Sequence, residues 1–188
     1  MPAHSTPSQT VGPFFSIGFD WMIRRDVAEG CPGERVTIRG RVLDGNGQPV
    51  SDALLEIWQA DADGRYHHPE LTGPQNDATP FFGFGRVPTD EHGQFSFTTI
   101  KPGPVPGPDG KPQAPHLQIS IFMRGLLRQL VTRVYFPDDP RNDSDTVLRL
   151  VPKSRRATLI ARQSAPTEKA LEWNVCLQGT DETVFFDC

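Results

Sequence analysis

Tyrosine is close to missing from this 188-residue chain, which has two, Tyr66 and Tyr135. Chemistry that needs a phenol or phenolate therefore has two positions to draw on. Cysteine is nearly as scarce. Cys31, Cys176 and Cys188 are odd in number and show no CxxC spacing, which points away from a disulfide framework or a thiolate zinc site and toward three reduced thiols. No apolar run is long enough to span a bilayer, and the opening MPAHSTPSQT has neither the charged nor the apolar region of a signal peptide. The expectation is a chain with no membrane partner, in the cytoplasm. A net charge of −4 with both signs interspersed leaves no basic stripe, which argues against nucleic acid as a partner. Helix signals are sparse as well. The clearest is Asp143-Ser144-Asp145-Thr146-Val147-Leu148, where Asp or Ser can cap a short turn.

The chain is rich instead in proline and glycine, 19 and 17 residues, which punctuate short strands and shape long loops. From Val36 the pattern has period two: Val36, Ile38, Gly40 and Val42 alternate with polar residues before the turn sequence Asp44-Gly45-Asn46-Gly47. Further strands are expected at 54–59, 95–99, 117–123, 129–136, 158–161, 171–177 and 183–186. This spacing makes the chain all-β, a β-sandwich of mostly antiparallel strands with long loops. Its length suits one domain with a sizeable core. Residues 1–33 stand apart as an extended N-terminal arm, aperiodic yet carrying Phe14, Phe15, Phe19 and Trp21, which need burial. The arm packs on its own domain, residues 34–188, or on a partner chain.

Residues 101–125, KPGPVPGPDGKPQAPHLQISIFMRG, hold the pattern most suggestive of chemistry. A Pro/Gly-rich loop feeds a strand that begins Pro115-His116-Leu117-Gln118-Ile119. Strand residues two apart face the same way, so His116 and Gln118 project together. Three more blocks accompany it: the run from Leu54 to Tyr66, LLEIWQADADGRY; Phe82-Gly83-Phe84-Gly85-Arg86 with Asp90, Gly93 and the stretch from Phe95 to Pro104, expected as a hairpin; and Thr6-Pro7-Ser8-Gln9-Thr10-Val11-Gly12-Pro13-Phe14-Phe15. Together they cover most of residues 5–136 and resemble the intradiol ring-cleavage dioxygenases.

In that family Fe(III) is held by two tyrosines and a His-x-His pair. The resemblance places these ligands at Tyr66, Val105, His116 and Gln118, of which Tyr66 and His116 match and Val105 and Gln118 do not. Valine has no donor, and a neutral amide replaces neither an imidazole in strength nor a phenolate in charge. Tyr135, in an alternating strand read as far from the motif, does not fill the gap. Such a departure resembles the non-iron chain of the family's two-chain members. It implies no metal and no catalytic residue in this chain, with Fe(III) held by a partner β chain in a hetero-oligomer of several αβ units. The implied substrates are 3,4-dihydroxybenzoate and O₂.

The resemblance also implies that Thr10, Gly12, Pro13 and Arg133 line the partner's substrate pocket. Each has a plainer reading. Tyr66 and His116 are two legs of a metal site or a hydrogen-bonded relic of one. Arg133, between Val131 and Tyr135 on one strand face, needs a partner: a structural carboxylate, a neighbouring subunit or an anionic substrate. A guanidinium matches a carboxylate through directed, charge-assisted bonds. Thr10, Gly12 and Pro13 are equally a turn whose glycine adopts a backbone closed to other residues. His67 and His68 read as a solvated pair, and Lys153, Arg155 and Arg156 as a solvated face or an oligomer contact. Two other classes stay open: a self-sufficient enzyme rearranged around Tyr66, His116 and a carboxylate, and a non-catalytic β-sandwich module.

Overall fold

A computed structural model describes residues 6–12, 14–67, 81–108, 110–137, 139–165 and 168–187. Its strands, in chain order, are β1 (Arg35–Leu43), β2 (Leu54–Trp58), β3 (Phe84–Pro88), β4 (Gln94–Ile100), β5 (Val105–Pro106), β6 (Pro112–Gln113), β7 (His116–Phe122), β8 (Leu130–Tyr135), β9 (Arg162–Gln163), β10 (Ala170–Glu172) and β11 (Val175–Cys176). Two short helices, α1 (Phe14–Ile17) and α2 (Thr146–Leu150), and three 3-10 turns complete the described elements. Among the described residues no helix is long and apolar enough to cross a membrane.

Alternation along the strands explains the layering. β3, β2, β7 and β8 form an antiparallel sheet in that order, while β1 runs antiparallel to β4 and parallel to β10 and β11 in a second sheet. Their facing sides share one core: Leu55 and Ile57 of β2, Leu117, Ile119 and Ile121 of β7 and Val134 of β8 meet Ile38, Val42, Phe95, Phe97 and Trp173. Burying each such side chain contributes about 1.5–3 kcal/mol. Because odd residues of β7 fill the core, its even residues His116, Gln118, Ser120 and Phe122 stand on the outer face, and that face carries the site.

Several expected elements take another form. The stretch from Phe82 to Pro104 is not a hairpin: β3 pairs with β2 and β4 with β1, so the Asp90 turn carries the chain from one sheet to the other. Residues 158–161, expected as a strand, end a 3-10 segment, Lys153–Leu159. Arg155 and Arg156, expected on a solvated face, brace that segment by donating to the Glu182 and Val151 carbonyls at 2.7 and 2.9 Å. The strand expected over 171–177 breaks at Asn174, whose side-chain oxygen accepts from the Arg41 amide where the parallel ladder lapses. Residues 183–186 contribute a single bridge, Val131 to Phe186. The capped turn does form, as α2, with Asp145 accepting from the Leu148 amide.

The arm is tied down from Arg24 onward. Arg24 and Arg86 exchange backbone hydrogen bonds at 2.9 and 3.1 Å, and the Val27 amide donates to Thr98, so the arm's root covers the edge strands of both sheets. Val27 and Ala28 are buried there.

Candidate functional site

The site is built by strand register. Trp58, Gln118 and Arg133 lie opposite one another across β2, β7 and β8, and the next rung on the same face sets His116 opposite Tyr135. Tyr66 stacks on Trp58 with ring centroids 5.9 Å apart and planes 3° off parallel. Val105 pairs with Gln113 between β5 and β6. Of the four positions that hold metal in the resembling family, His116 and Gln118 thus share one strand face, Tyr66 stacks on Trp58 beside Gln118, and Val105 pairs with Gln113.

Two loops carry Tyr66 and Val105. Asp61 accepts from the amides of Asp63 and Arg65, and its own carbonyl accepts from the Gly103 amide at 2.8 Å. Gly64 sits at φ 82°, where a Cβ would lie 2.1 Å from the Pro104 carbonyl oxygen. A Cβ on Gly103 would come within 2.5 Å of the Ala62 carbonyl oxygen and the Gly64 nitrogen. Only glycines admit this contact. His67, expected in solvent, is largely buried with its Nε2 2.6 Å from Asp61 Oδ2 and its ring edge-on to Phe81. Burial works against ionisation of Asp61, yet bonds from His67 and the two backbone amides hold its carboxyl below the ordinary range. His68 lies outside the described residues.

The residues at these positions do not fit a ferric ion. Val105 offers no donor and Gln118 only a neutral amide. His116 is 5% exposed and donates from Nδ1 to the Ala114 carbonyl at 2.8 Å. Burial, aided by the Arg133 charge, lowers its pKa to about 4, so it is a neutral imidazole. Burial raises the Tyr66 pKa, with Arg133 opposing. Tyr135, expected to lie far from the motif, packs against His116 at 5.6 Å between ring centroids. Proximity does not make it a ligand. It is fully buried and donates to Asp145 Oδ1 at 3.1 Å, and burial together with that carboxylate raises its pKa strongly, so the phenol keeps its proton. Asp145, the carboxylate that reaches this cluster, also accepts from the Ala114 and Leu148 amides at 2.8 and 2.7 Å and is spent as a structural acceptor.

Arg133 has none of its expected structural carboxylates. Its Nη1 donates to Gln113 Oε1 at 2.7 Å and lies 3.5 Å from the Tyr135 hydroxyl, and among the described residues no acidic side chain comes within ion-pair distance. The residue is half-buried.

Thr10 and Gly12 lie at the other end of the same face. Thr10 Oγ1 accepts from the Gly125 amide at 2.8 Å, just past the end of β7, and the Gly12 carbonyl accepts from Phe15 to open α1. From Gln118 to Phe122 the strand already covers about 13 Å, so within this chain Arg133 and the arm residues do not converge. Gly12 is not in the left-handed region, and a Cβ there would meet nothing within 4 Å. The turn therefore supplies no reason for glycine, contrary to the plainer expectation. Pro13 lies outside the described residues.

The residues beneath the arm carry no expected role. Arg86, 4% exposed, has its guanidinium 4.9 and 5.1 Å from the ring centroids of Phe15 and Phe19 and its Nε 3.3 Å from Glu56 Oε1. Burial pushes the Glu56 carboxyl upward, and Arg86 offsets part of that. The signal was present: a charge flanked by apolar residues on a strand needs a partner, the same argument that singled out Arg133. Phe15 packs on Phe122 at 5.0 Å, while Phe14 and Trp21 remain 77% and 79% exposed.

Comparison with known proteins agrees with this geometry. The dioxygenase family model (Dioxygenase_C) matches residues 20–179. The protocatechuate 3,4-dioxygenase alpha chain of Burkholderia cepacia is 40% identical over 199 residues, covering 97% of this chain and 96% of that one. The beta chain from the same organism is 39% identical over 173 residues, covering 86% of this chain and 72% of its own length. Among solved structures, the dioxygenase domain of a dioxygenase carbohydrate-binding protein fusion from Streptomyces sp. SirexAA-E has a TM-score of 0.63 at 29% identity, covering 94% of this chain and 100% of that one. Sequence, strand register and loop geometry lead to one conclusion: the chain belongs to the intradiol ring-cleavage dioxygenase family.

Proposed function

We propose that this chain is the non-iron alpha subunit of a protocatechuate 3,4-dioxygenase, completing the substrate pocket of an iron-bearing beta chain. The assembled enzyme breaks the ring bond of 3,4-dihydroxybenzoate between its two hydroxyl-bearing carbons. Both atoms of O₂ enter the product, 3-carboxy-cis,cis-muconate. Fe(III) belongs to the beta chain in this reading. Here Thr10, Gly12 and Pro13 contribute pocket wall from the arm, and Arg133 contributes positive charge.

The observation that carries the reading is the loss of donors at Val105 and Gln118 in a chain so similar, along nearly its whole length, to a named alpha chain. Two features support it. Glycine at position 12 answers no need inside this chain, as expected if the close approach is to another molecule. Among the described residues Arg133 has no carboxylate partner, which suits a cation that receives an acidic ligand. A pocket completed across two chains must be held rigidly, so the interface should exceed about 2,000 Å² in total.

The test is iron content and protocatechuate-dependent O₂ uptake for this chain alone and co-expressed with a candidate beta chain. No iron and no uptake alone, with both present in a stable co-purified complex, is the expected result. Stoichiometric iron and turnover in the isolated chain would overturn the reading.

A further inference from the structure

We infer that Arg133 is a resident cation that excludes metal from this chain's own site, so that iron is refused by charge as well as by missing ligands. The inference rests on the family's ligand positions and not on the partner reading.

Each relic position is linked to Arg133 through strand pairing or intervening side chains. Gln118 is its cross-strand partner, and Trp58, on the same rung, carries the stacked ring of Tyr66. Val105 pairs with Gln113, whose side-chain oxygen accepts from Arg133 Nη1. His116 packs on Tyr135, whose hydroxyl lies 3.5 Å from the same nitrogen. Among the described residues no carboxylate forms an ion pair with it, and Asp145 reaches the cluster only through the Tyr135 hydroxyl. A ferric ion entering there would meet repulsion in proportion to the product of the charges, in a half-buried setting where water screens poorly. A metal site is defined by what it rejects as well as by what it binds.

The experiment restores the donors with and without the cation. In Val105→Tyr/Gln118→His the chain regains two phenols and two imidazoles, and ferric iron is measured by metal analysis and by the visible tyrosinate-to-iron absorption. Iron occupancy is expected to stay low in that variant, to rise at least tenfold when Arg133→Gln is added, and to stay low when Arg133→Lys is added instead. A tyrosine at buried position 105 risks misfolding. A smaller pair, Gln118→His with and without Arg133→Gln, is therefore titrated with Zn²⁺ in parallel, and the neutral background is expected to bind at least tenfold tighter. Equal binding whether position 133 is Arg, Lys or Gln overturns the inference, as does the absence of metal binding from every variant.

Discussion

The two ends of the outer face of the β3-β2-β7-β8 sheet are finished to different degrees. At the His116 end several polar groups are bonded within the chain: Tyr135 to Asp145, His116 to Ala114, and one nitrogen of Arg133 to Gln113. At the Thr10 end the anchoring is below and the upper surface is bare. Arg86 and Glu56 hold Phe15 and Phe19 from beneath, while Phe14, Ile17 and Trp21 face outward. The difference separates a region bonded within the chain from one whose aromatic side chains stay exposed. A family's chemical centre can be sealed off within one chain while its periphery stays open to a neighbour.

The strongest way to break the contrast is at Asp145. Asp145→Ala leaves the Tyr135 hydroxyl and the Ala114 and Leu148 amides without an acceptor, a loss of about 3–5 kcal/mol in unfolding free energy. Urea denaturation checks it, and a loss under about 1 kcal/mol would contradict the sealed end. Next is acidification. His116 has a folded pKa of about 4 against an ordinary 6.5, so the unfolded chain takes up the proton first. Stability is thus retained above pH 6.5 and falls as pH drops from 6.5 toward 4, by about 3 kcal/mol. His116→Phe should flatten that slope in a pH series of thermal or urea melts.

The open end should respond in the opposite way. Trp21→Ala is expected to leave the isolated chain's stability within about 0.5 kcal/mol while weakening its complex with an iron-bearing chain by about 2 kcal/mol. Binding titrations of the two purified chains separate the effects, and equal losses in both would erase the distinction. The smallest effect on folding belongs to Gly12→Ala, where the new methyl meets nothing. Its melting temperature should match the parent, and its cost should appear only as reduced turnover in the assembled enzyme.

Much of this was legible in the sequence, and the exceptions share a cause. Alternation fixed β1, β2, β4, β7 and β8 because one face of each fills the core, and Asp145 announced α2 because a capping carboxylate acts locally. Alternation also put Arg133 and Tyr135 on one face, yet it could not show that Tyr135 lies opposite His116. That depends on how β8 is registered against β7, a pairing between strands that neither strand's own pattern reveals. The same limit applies at Asn174, where a side chain substitutes for a lapsed ladder bond, and at the Asp90 turn, where a local hairpin signal becomes a crossing between sheets. What Val105 and Gln118 can offer a metal could be read directly, because chemistry at a position is a property of the residue itself, while the choice of those positions came from the resemblance.

The contact between Gly64 and Gly103 bears on how easily such a chain changes its trade. The approach of those two loops is set by backbone pressed on backbone at Gly64 and Gly103, not by a bond from the side chain of residue 105. In evolutionary terms the scaffold is indifferent to the cargo. Gain or loss of a metal can proceed by exchanging side chains on a path already laid, with no intermediate that must first rebuild a loop.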